Sequence, residues 1–310
     1  MSKKIVFFGT PEFAVPSLDA LVSEGFNIAA VVTATDKPAG RGHAMTPSAV
    51  KKYALEHDIP VLQPEKLRDP QFIETLRDIN ADLFVVIAFR MMPEVVWAMP
   101  PLGTFNLHAS LLPKYRGAAP INWAVINGDT ETGVTTFFLS HDIDTGDIID
   151  RQTSPIYPTD CVGDVHDRLM AIGAELTVKT VREIFDGTVK RHPQSELTAD
   201  IEPTPAPKIF KETCMIDWNR PAEQIHNLIR GLSPYPAAWS SMSLAGESPK
   251  PYKIFSSEVT DIPSLSKPGT VTIDDGRILV DTATTQLSLL SLQAPGKRRM
   301  ATTELLRGLR

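Results

Sequence analysis

The first 190 residues alternate short apolar runs with segments of helical periodicity, and this alternation strongly limits the possible folds. The runs at 5–8, 28–32 and 104–107 have the length and composition of buried strands. A turn at Gly9-Thr10-Pro11 follows the first run and leads into apolar residues at helical spacing. Strands that alternate with helices form a parallel sheet with crossover helices. The sequence therefore predicts an α/β domain built on a Rossmann-like parallel sheet.

Other segments fit the same architecture. Further strands are predicted at 82–88 and 133–139, and a long helix at 162–185 has little Gly or Pro to interrupt it. Thr46 and Pro47 are interpreted as the N-cap and first residue of a helix that reaches about His57.

A smaller domain is predicted beyond a proline-rich connector. Residues 202–207 read Glu-Pro-Thr-Pro-Ala-Pro, which favours a stiff, polar polyproline segment. Five short strands joined by turns are typical of an OB-like β-barrel, a frequent nucleic-acid platform. A helix at 221–230 precedes the five runs predicted here, at 237–243, 252–259, 269–273, 277–280 and 286–292. We therefore assign 1–200 to a first domain, 201–208 to a linker and 209–310 to the barrel.

Composition limits the class of protein. Hydrophobic residues make up 42% of the chain and charged residues 22%, as in soluble globular proteins. Apolar runs stay well short of the ~20 residues of a membrane span, and Met1-Ser2-Lys3-Lys4 leads into a strand rather than a signal peptide. Cys161 and Cys214 stand far apart without a C-x-x-C motif. We expect a cytoplasmic protein with no membrane association, no metal, no disulfide and no obligate protein partner.

The net charge of −6 is unevenly distributed. Residues 209–310 carry 12 Lys and Arg against 10 Asp and Glu, a balance of +2, whereas the rest carries 19 against 27, a balance of −8. Lys297, Arg298 and Arg299 form the densest basic cluster, although three adjacent cations also occur in ordinary solvated turns. The C-terminal part is therefore the part predicted to face a polyanion.

The candidate catalytic residues lie at a strand end and in a later loop. Asn106 and His108 alternate along the strand and so point to one face, and Asp144 lies in a loop that Gly146 punctuates. An amide, an imidazole and a carboxylate that converge can hold a carbonyl, stabilise an oxyanion and manage an amine proton. Taken singly, His108 also fits a structural hydrogen bond and Asp144 an Asx-turn. Together they favour acyl transfer.

Two other chemistries are disfavoured. No Ser or Cys stands beside these residues in a G-x-S-x-G context, so direct attack of an amine on a bound acyl donor is favoured over an acyl-enzyme. The Gly9 turn lacks the G-x-G-x-x-G pattern, because Pro11 and Phe13 replace small residues, so no NAD site is predicted.

Residues 106–147 resemble the formyltransferase family that takes its formyl group from 10-formyltetrahydrofolate. The resemblance rests on Ser110-Leu111-Leu112-Pro113, Tyr115-Arg116-Gly117 and Asp142-Ile143-Asp144-Thr145-Gly146. The chain is similar in particular to members that formylate methionine on initiator tRNA. That similarity covers nearly all 310 residues and includes Phe7-Phe8-Gly9-Thr10-Pro11-Glu12-Phe13-Ala14, Asp36-Lys37-Pro38-Ala39-Gly40-Arg41-Gly42 and Gly231-Leu232-Ser233-Pro234-Tyr235-Pro236.

The resemblance implies 10-formyltetrahydrofolate as co-substrate and initiator methionyl-tRNA as partner. It places the formyl group beside Asn106 and His108, which donate to its oxygen, and beside Asp144, which orients His108 and receives the amine proton. Folate contacts are expected from Ser110, Leu111, Leu112, Pro113, Phe89, Arg90 and Met91. Contacts with tRNA are expected from Lys37, Arg41 and His43, and from the basic cluster Lys297, Arg298 and Arg299.

Two features of these predicted contacts stand out. This chain has Phe89-Arg90 where many family members have Tyr-Gly, which puts a larger side chain at the folate-facing turn. The segment 36–45, which carries Lys37, Arg41 and His43, is also typical of a mobile surface loop.

Three alternatives share parts of this pattern. Formyl transfer to another amine, such as a glycinamide ribotide or an amino sugar, would not require both the Arg41 loop and a basic-leaning barrel. An inactive RNA-binding module on a decayed enzyme fold is disfavoured by the intact Asn106, His108 and Asp144. An NAD-dependent dehydrogenase is disfavoured by the missing glycine pattern.

Overall fold

The computed structural model describes residues 2–39, 44–197, 201–244 and 246–308. The chain divides into two compact units. The first unit comprises Met1–Gly117, Gly133–Ser154 and His166–Pro205, and the second comprises Ala118–Thr132, Pro155–Val165 and Ala206–Arg310. The domain bounds 1–200, 201–208 and 209–310 stay a prediction, and they differ from this division at 118–132 and 155–165.

Helices and strands alternate over the first two thirds of the chain, and strands dominate the last third. Up to residue 206 the elements are β1 (Lys4–Gly9), a 3-10 turn (Glu12–Ala14), α1 (Val15–Ser23), β2 (Asn27–Val32), β3 (Lys37–Ala39), β4 (Ala44–Thr46), α2 (Ala49–Glu56), β5 (Val61–Leu62), α3 (Pro70–Ile79), β6 (Leu83–Ile87), α4 (Glu94–Trp97), β7 (Thr104–His108), β8 (Arg116–Gly117), α5 (Pro120–Ile126), β9 (Glu131–Phe138), β10 (Ile148–Pro155), α6 (Val162–Asp186), α7 (Gln194–Leu197) and β11 (Pro205–Ala206). The remaining elements are α8 (Ala222–Leu232), β12 (Ala238–Met242), β13 (Lys250–Pro263), β14 (Val271–Asp274), β15 (Arg277–Val280), β16 (Thr285–Gln293), β17 (Met300–Ala301) and α9 (Thr302–Arg307).

The main sheet has the strand order β10-β9-β7-β6-β1-β2-β5. Strands β5, β2, β1, β6 and β7 are parallel, and β9 is antiparallel to β7. The central strands are buried on both faces, which is why β1 and β6 read as nearly unbroken apolar runs. The predicted α/β class with a Rossmann-like parallel sheet is confirmed.

The sheet order reverses between β1 and β6. From β1 the chain builds outward through β2 to β5, and it then crosses to add β6 and β7 on the other side. Ligands of open α/β sheets bind at the carboxyl ends of the strands, beside such a reversal. His108 is the last residue of β7, one strand away from this point.

The predicted start of α2 is wrong. Thr46 ends β4, which pairs with β3 as a hairpin, and the N-cap is Ser48. The Ser48 hydroxyl accepts a hydrogen bond from the Lys51 backbone N–H at 3.0 Å and so satisfies a helix donor. Thr46 and Ser48 flank Pro47. Thr46 belongs to the hairpin, and Ser48 therefore caps the helix.

The second unit contains an antiparallel sheet in the order β12-β13-β16-β15-β14, with β17 added to β16. Its core joins the apolar face of α8 to the inner face of the sheet and includes Ile225, Ile229, Tyr252 and Leu289. The predicted C-terminal β domain is confirmed. Among the described residues no pairing joins β14 to β12, so closure into an OB-like barrel stays a prediction.

Helix α5 belongs to the second unit, although it precedes the connector by some 80 residues. The Asn122 side-chain amide donates to the Gly231 carbonyl oxygen at 2.8 Å. A Cβ on Gly231 would lie 2.5 Å from the Ile126 side chain and 2.9 Å from its backbone nitrogen. The close packing of α5 on α8 therefore requires glycine at this position.

The proline-rich connector is hydrogen-bonded along its length. The Thr204 carbonyl oxygen accepts from the Arg116 backbone N–H at 3.1 Å, and the Ala206 carbonyl oxygen accepts from the Ala118 N–H at 2.8 Å. Strand β11 thus pairs with β8. No helix among the described residues has both the length and the apolar character needed to cross a bilayer.

Candidate active site

Asn106 and His108 point from the same face of β7, which lies between β6 and β9. Asn106 is half-buried and stands opposite Val86 on one side and Phe137 on the other. Within the described residues its side-chain amide has no hydrogen-bond partner. An amide that no described residue contacts by a hydrogen bond, at the carboxyl end of a parallel sheet, is available to a ligand.

The His108 imidazole is held by a backbone carbonyl. Its Nε2 lies 2.8 Å from the Tyr115 carbonyl oxygen, which can only accept, so Nε2 carries a proton. Nδ1 faces Asp144 Oδ2 at 3.9 Å, and the side chains of His108 and Asp144 are 8% and 15% exposed. This distance exceeds a hydrogen bond. Tyr115 therefore orients the ring, whereas the sequence hypothesis assigned this to Asp144.

The turn after β7 brings the Tyr115 carbonyl back to His108. The Ser110 hydroxyl donates to the Lys114 carbonyl oxygen at 2.7 Å. The Thr135 hydroxyl on the neighbouring strand β9 donates to the Ser110 carbonyl oxygen at 2.6 Å and accepts from the Leu112 N–H at 3.1 Å. Sequence reasoning missed Thr135, because its position follows from the register of β7 with β9.

Asp144 is held in a loop with little freedom. Its Oδ2 accepts from the Gly117 backbone N–H at 2.9 Å, and its own φ of 54° lies in the left-handed region. A Cβ on Gly146 would lie 1.7 Å from the Phe138 carbonyl oxygen, so only glycine lets the loop close on the end of β9. The Gln194 side chain contacts this loop as well, and no sequence motif had indicated it.

The side chains of His108 and Asp144 bring two polar atoms, Nδ1 and Oδ2, close together. Because these atoms are 3.9 Å apart, a single substrate atom to one side of the line that joins them can lie about 2.8 Å from each. His108 Nδ1 bears either a lone pair or an N–H, and Asp144 is a carboxylate. The pair can therefore contact a group that acquires charge or loses a proton during a reaction.

The residues predicted to contact folate fall into two sets. Ser110, Leu112 and Pro113 are buried in the turn, and Leu111 is half-exposed. Beyond β6, Phe89 packs edge-on against Phe8 with ring centroids 5.6 Å apart. Two further side chains, Arg90 and Met91, are exposed. The Arg90 guanidinium donates to the carbonyl oxygens of Pro64 and Glu65, so it spans two loops at this end of the sheet.

The residues predicted to contact tRNA also differ in their surroundings. Arg41 and His43 lie outside the described residues, whereas Lys37 is exposed at the start of β3. Just before it, hydrogen bonds from Lys51 and Gln63 hold the pKa of Asp36 below its usual value. These bonds fix the base of the hairpin.

Two of the three residues in the C-terminal basic cluster, Arg298 and Arg299, contact other side chains. Arg298 forms an ion pair with Glu304. Arg299 lies over the Phe255 ring at 4.6 Å and donates to the Ser291 hydroxyl at 2.9 Å. All three cations are exposed. No group of three or more His, Cys, Asp or Glu among the described residues is arranged to hold a metal ion.

Comparison with known proteins identifies the class. Residues 3–181 match the family model of formyl transferases, and residues 208–310 match the model of the formyl transferase C-terminal domain. The chain is thus a formyl-transferring enzyme.

One relative is the methionyl-tRNA formyltransferase of Bacteroides fragilis, with 56% identity over 98% of this chain and 94% of the relative. The chain belongs to the methionyl-tRNA formyltransferase family, and the resemblance drawn from the sequence is confirmed.

Solved structures support the fold. An N-formyltransferase from Helicobacter canadensis, solved with folinic acid and dTDP-3-aminofucose, aligns with a TM-score of 0.66 at 21% identity over 95% of this chain and 100% of its own. Glycinamide ribonucleotide transformylase 1 from Symbiobacterium toebii aligns with a TM-score of 0.53 at 18% identity over 62% of this chain and 94% of its own. The second of these alignments leaves more than a third of this chain unmatched.

Proposed function

We propose that this enzyme transfers the formyl group of 10-formyltetrahydrofolate to the α-amine of methionine on initiator tRNA. The observation that carries the proposal is the 3.9 Å separation of His108 Nδ1 from Asp144 Oδ2, at the end of the strand on which no described residue bonds to the Asn106 amide. Membership in the methionyl-tRNA formyltransferase family supports the choice of acceptor.

This arrangement suits attack of an amine on a formyl carbon. The amine nitrogen bonds to the carbon, the formyl oxygen takes up negative charge, and Asn106 and His108 Nδ1 donate to that oxygen. Because His108 Nε2 already donates to Tyr115, Nδ1 can donate only when both ring nitrogens carry a proton. Asp144 takes the amine proton, directly or through water. The oxyanion then reforms the carbonyl as the bond from carbon to N10 of the folate breaks, and N10 takes the proton that Asp144 accepted.

Direct attack without a covalent enzyme intermediate fits the nucleophiles present. Ser110 is fully buried, and its hydroxyl donates to the Lys114 carbonyl oxygen. Burial raises the pKa of the Cys161 and Cys214 thiols, which disfavours the reactive thiolate. Both cysteines are free thiols in the second unit.

The folate co-substrate is assigned to the carboxyl end of the sheet, where Leu111, Phe89 and Met91 offer partly or fully exposed apolar surface. The Arg90 guanidinium is directed to the carbonyl oxygens of residues 64 and 65.

The second unit carries a groove suited to RNA. The groove has a volume of about 720 Å³ and is lined by aromatic, proline and lysine side chains that include Phe210, Tyr235, Trp239, Lys211 and Lys253. Tyr235 is 81% exposed and Phe210 57% exposed. Lysines that track phosphates beside aromatic rings that stack on bases are the two elements of single-strand recognition. We assign this groove to the tRNA, together with Lys37, Arg41, His43 and Lys297–Arg299.

Reversal of charge at Lys211 is expected to weaken tRNA use. The Lys211→Glu variant should raise KM for charged initiator tRNA by about 10-fold and make the affinity less salt-dependent, because a phosphate contact is lost. KM for the folate and kcat should not change. Steady-state kinetics at several salt concentrations measure this. Lys267→Glu is the matched control, since Lys267 is an exposed lysine of the same unit outside the groove. Equal effects of the two changes would remove the groove from tRNA binding.

A direct assay tests the function. The protein is mixed with 10-formyltetrahydrofolate and charged initiator tRNA, and a blocked amino terminus on the methionine is measured. Parallel reactions offer glycinamide ribonucleotide or an amino-sugar nucleotide as acceptor. Formylation of the methionine at a much higher kcat/KM than either small amine supports the proposal, and preference for a small amine overturns it.

A further inference from the structure

Gln194 connects the two segments that surround the Asp144 carboxylate. Its Nε2 donates to the carbonyl oxygens of Asp144 and Gly146, both at 2.9 Å. Its Oε1 accepts from Arg116 Nη2 at 2.7 Å and Nε at 3.2 Å. The side chain is 3% exposed. Carbonyl oxygens only accept and a guanidinium only donates, so the four partners determine the orientation of the amide.

The contact with Arg116 leads back to the same carboxylate. Arg116 adjoins Gly117, whose N–H donates to Asp144 Oδ2 at 2.9 Å. The Arg116 backbone is itself fixed, because its N–H donates to the Thr204 carbonyl oxygen at 3.1 Å. Asp144 is thus held at its carboxylate by Gly117 and at its backbone carbonyl by Gln194.

This double attachment matters because Asp144 has a left-handed backbone. A φ of 54° is unfavourable for a residue with a Cβ and persists where surrounding contacts enforce it. Gln194 donates hydrogen bonds to the carbonyl oxygens of Asp144 and Gly146, and so restrains the loop segment that carries the carboxylate.

We propose that Gln194 is a positioning residue for formyl transfer. By joining the 144–146 loop to Arg116, it keeps Asp144 Oδ2 3.9 Å from His108 Nδ1, so that one substrate atom can contact both. The proposal rests on the proposed role of Asp144 as proton acceptor. A displacement of about 1 Å in such a group lowers turnover by about 10²-fold.

Two substitutions test the proposal. Gln194→Met fills the same volume but removes all four hydrogen bonds. Gln194→Glu keeps an acceptor for Arg116 and turns a carboxylate toward two carbonyl oxygens. Both variants are expected to lower kcat by about 10²-fold with KM for the folate within about 3-fold of the parent. A near-normal kcat for Gln194→Glu overturns the proposal.

Thr180→Val controls for a general loss of stability. The Thr180 hydroxyl is fully buried and lies 2.9 Å from the Thr136 hydroxyl. Its removal disrupts a buried polar pair between helix α6 and strand β9. Thermal unfolding is measured for all three variants. The proposal requires Thr180→Val to keep its kcat, and a loss of kcat that follows only the melting temperature across the three variants overturns it.

A double-mutant cycle separates positioning from general damage. If Gln194 acts through Asp144, Gln194→Met lowers the single-turnover rate in the parent but not in an Asp144→Asn background. Additive losses overturn the role of Gln194 and leave the role of Asp144 intact. Normal turnover of Asp144→Asn alone overturns both roles.

Discussion

Replacement of Asp144 by asparagine is expected to lower kcat by about 10³-fold, although the two side chains are nearly isosteric. The amide oxygen still accepts the Gly117 N–H, which is 2.9 Å from the carboxylate in the parent, so the loop keeps its contact. The amide cannot take the amine proton. Single-turnover formylation with the folate and the charged tRNA at saturation measures the loss.

Asp142→Asn is the matched control for this change. Asp142 lies in the same loop and bears the same charge, but it is exposed, and the hydrogen bonds that it receives from Ser140 and Thr145 go to its backbone carbonyl. Its variant is expected to turn over normally. Folate binding by Asp144→Asn should equal that of the parent. If Asp144→Asn keeps a tenth of the parental rate while Asp142→Asn loses activity, the proton acceptor is Asp142.

The part of the site that lies on strands could be predicted from local pattern. Asn106 and His108 stand two residues apart on an apolar run, and alternation alone places them on one face. Strands β1 and β6 were recognisable because parallel strands buried on both faces require continuous apolar sequence. These inferences need no knowledge of distant residues.

The groups that hold the site could not be found in this way. Gln194 lies 50 residues beyond Asp144 at the start of a four-residue helix, where no periodicity indicates a contact. Thr135 reaches Ser110 because of the strand register. The Tyr115 carbonyl reaches His108 through the fold of a turn. Backbone carbonyls carry no sequence signal, so their roles appear only in three dimensions.

Domain composition also depends on long-range packing. The proline-rich segment at 202–207 marks a change from alternating elements to strands, and β11 lies within it. Helix α5 nevertheless packs in the second unit, because Asn122 and Ile126 contact α8 at Gly231. An amphipathic helix shows which face it buries but not which element covers that face.

Truncation of His108 to alanine is expected to lower kcat by about 10²-fold or more, because a donor to the developing oxyanion is lost. The same change removes the hydrogen bond between His108 Nε2 and the Tyr115 carbonyl oxygen, which are 2.8 Å apart. Loss of that bond destabilises the fold by about 1 kcal/mol. Denaturant unfolding measured beside turnover separates the two effects, since a folded population that binds folate normally and reacts slowly has a chemical defect.

His141→Ala provides the comparison for His108→Ala. His141 lies three residues before Asp144, and its side chain is 74% exposed. It contacts Glu94 and Trp97 rather than Asn106, His108 or Asp144. Its removal should change kcat by less than about 2-fold. Asn106→Ala, which removes the other proposed donor, should resemble His108→Ala in kcat but unfold at a similar denaturant concentration to the parent, since no described residue bonds to that amide. If His108→Ala turns over within about 3-fold of His141→Ala, the oxyanion is stabilised by other groups and the imidazole serves only to hold the turn.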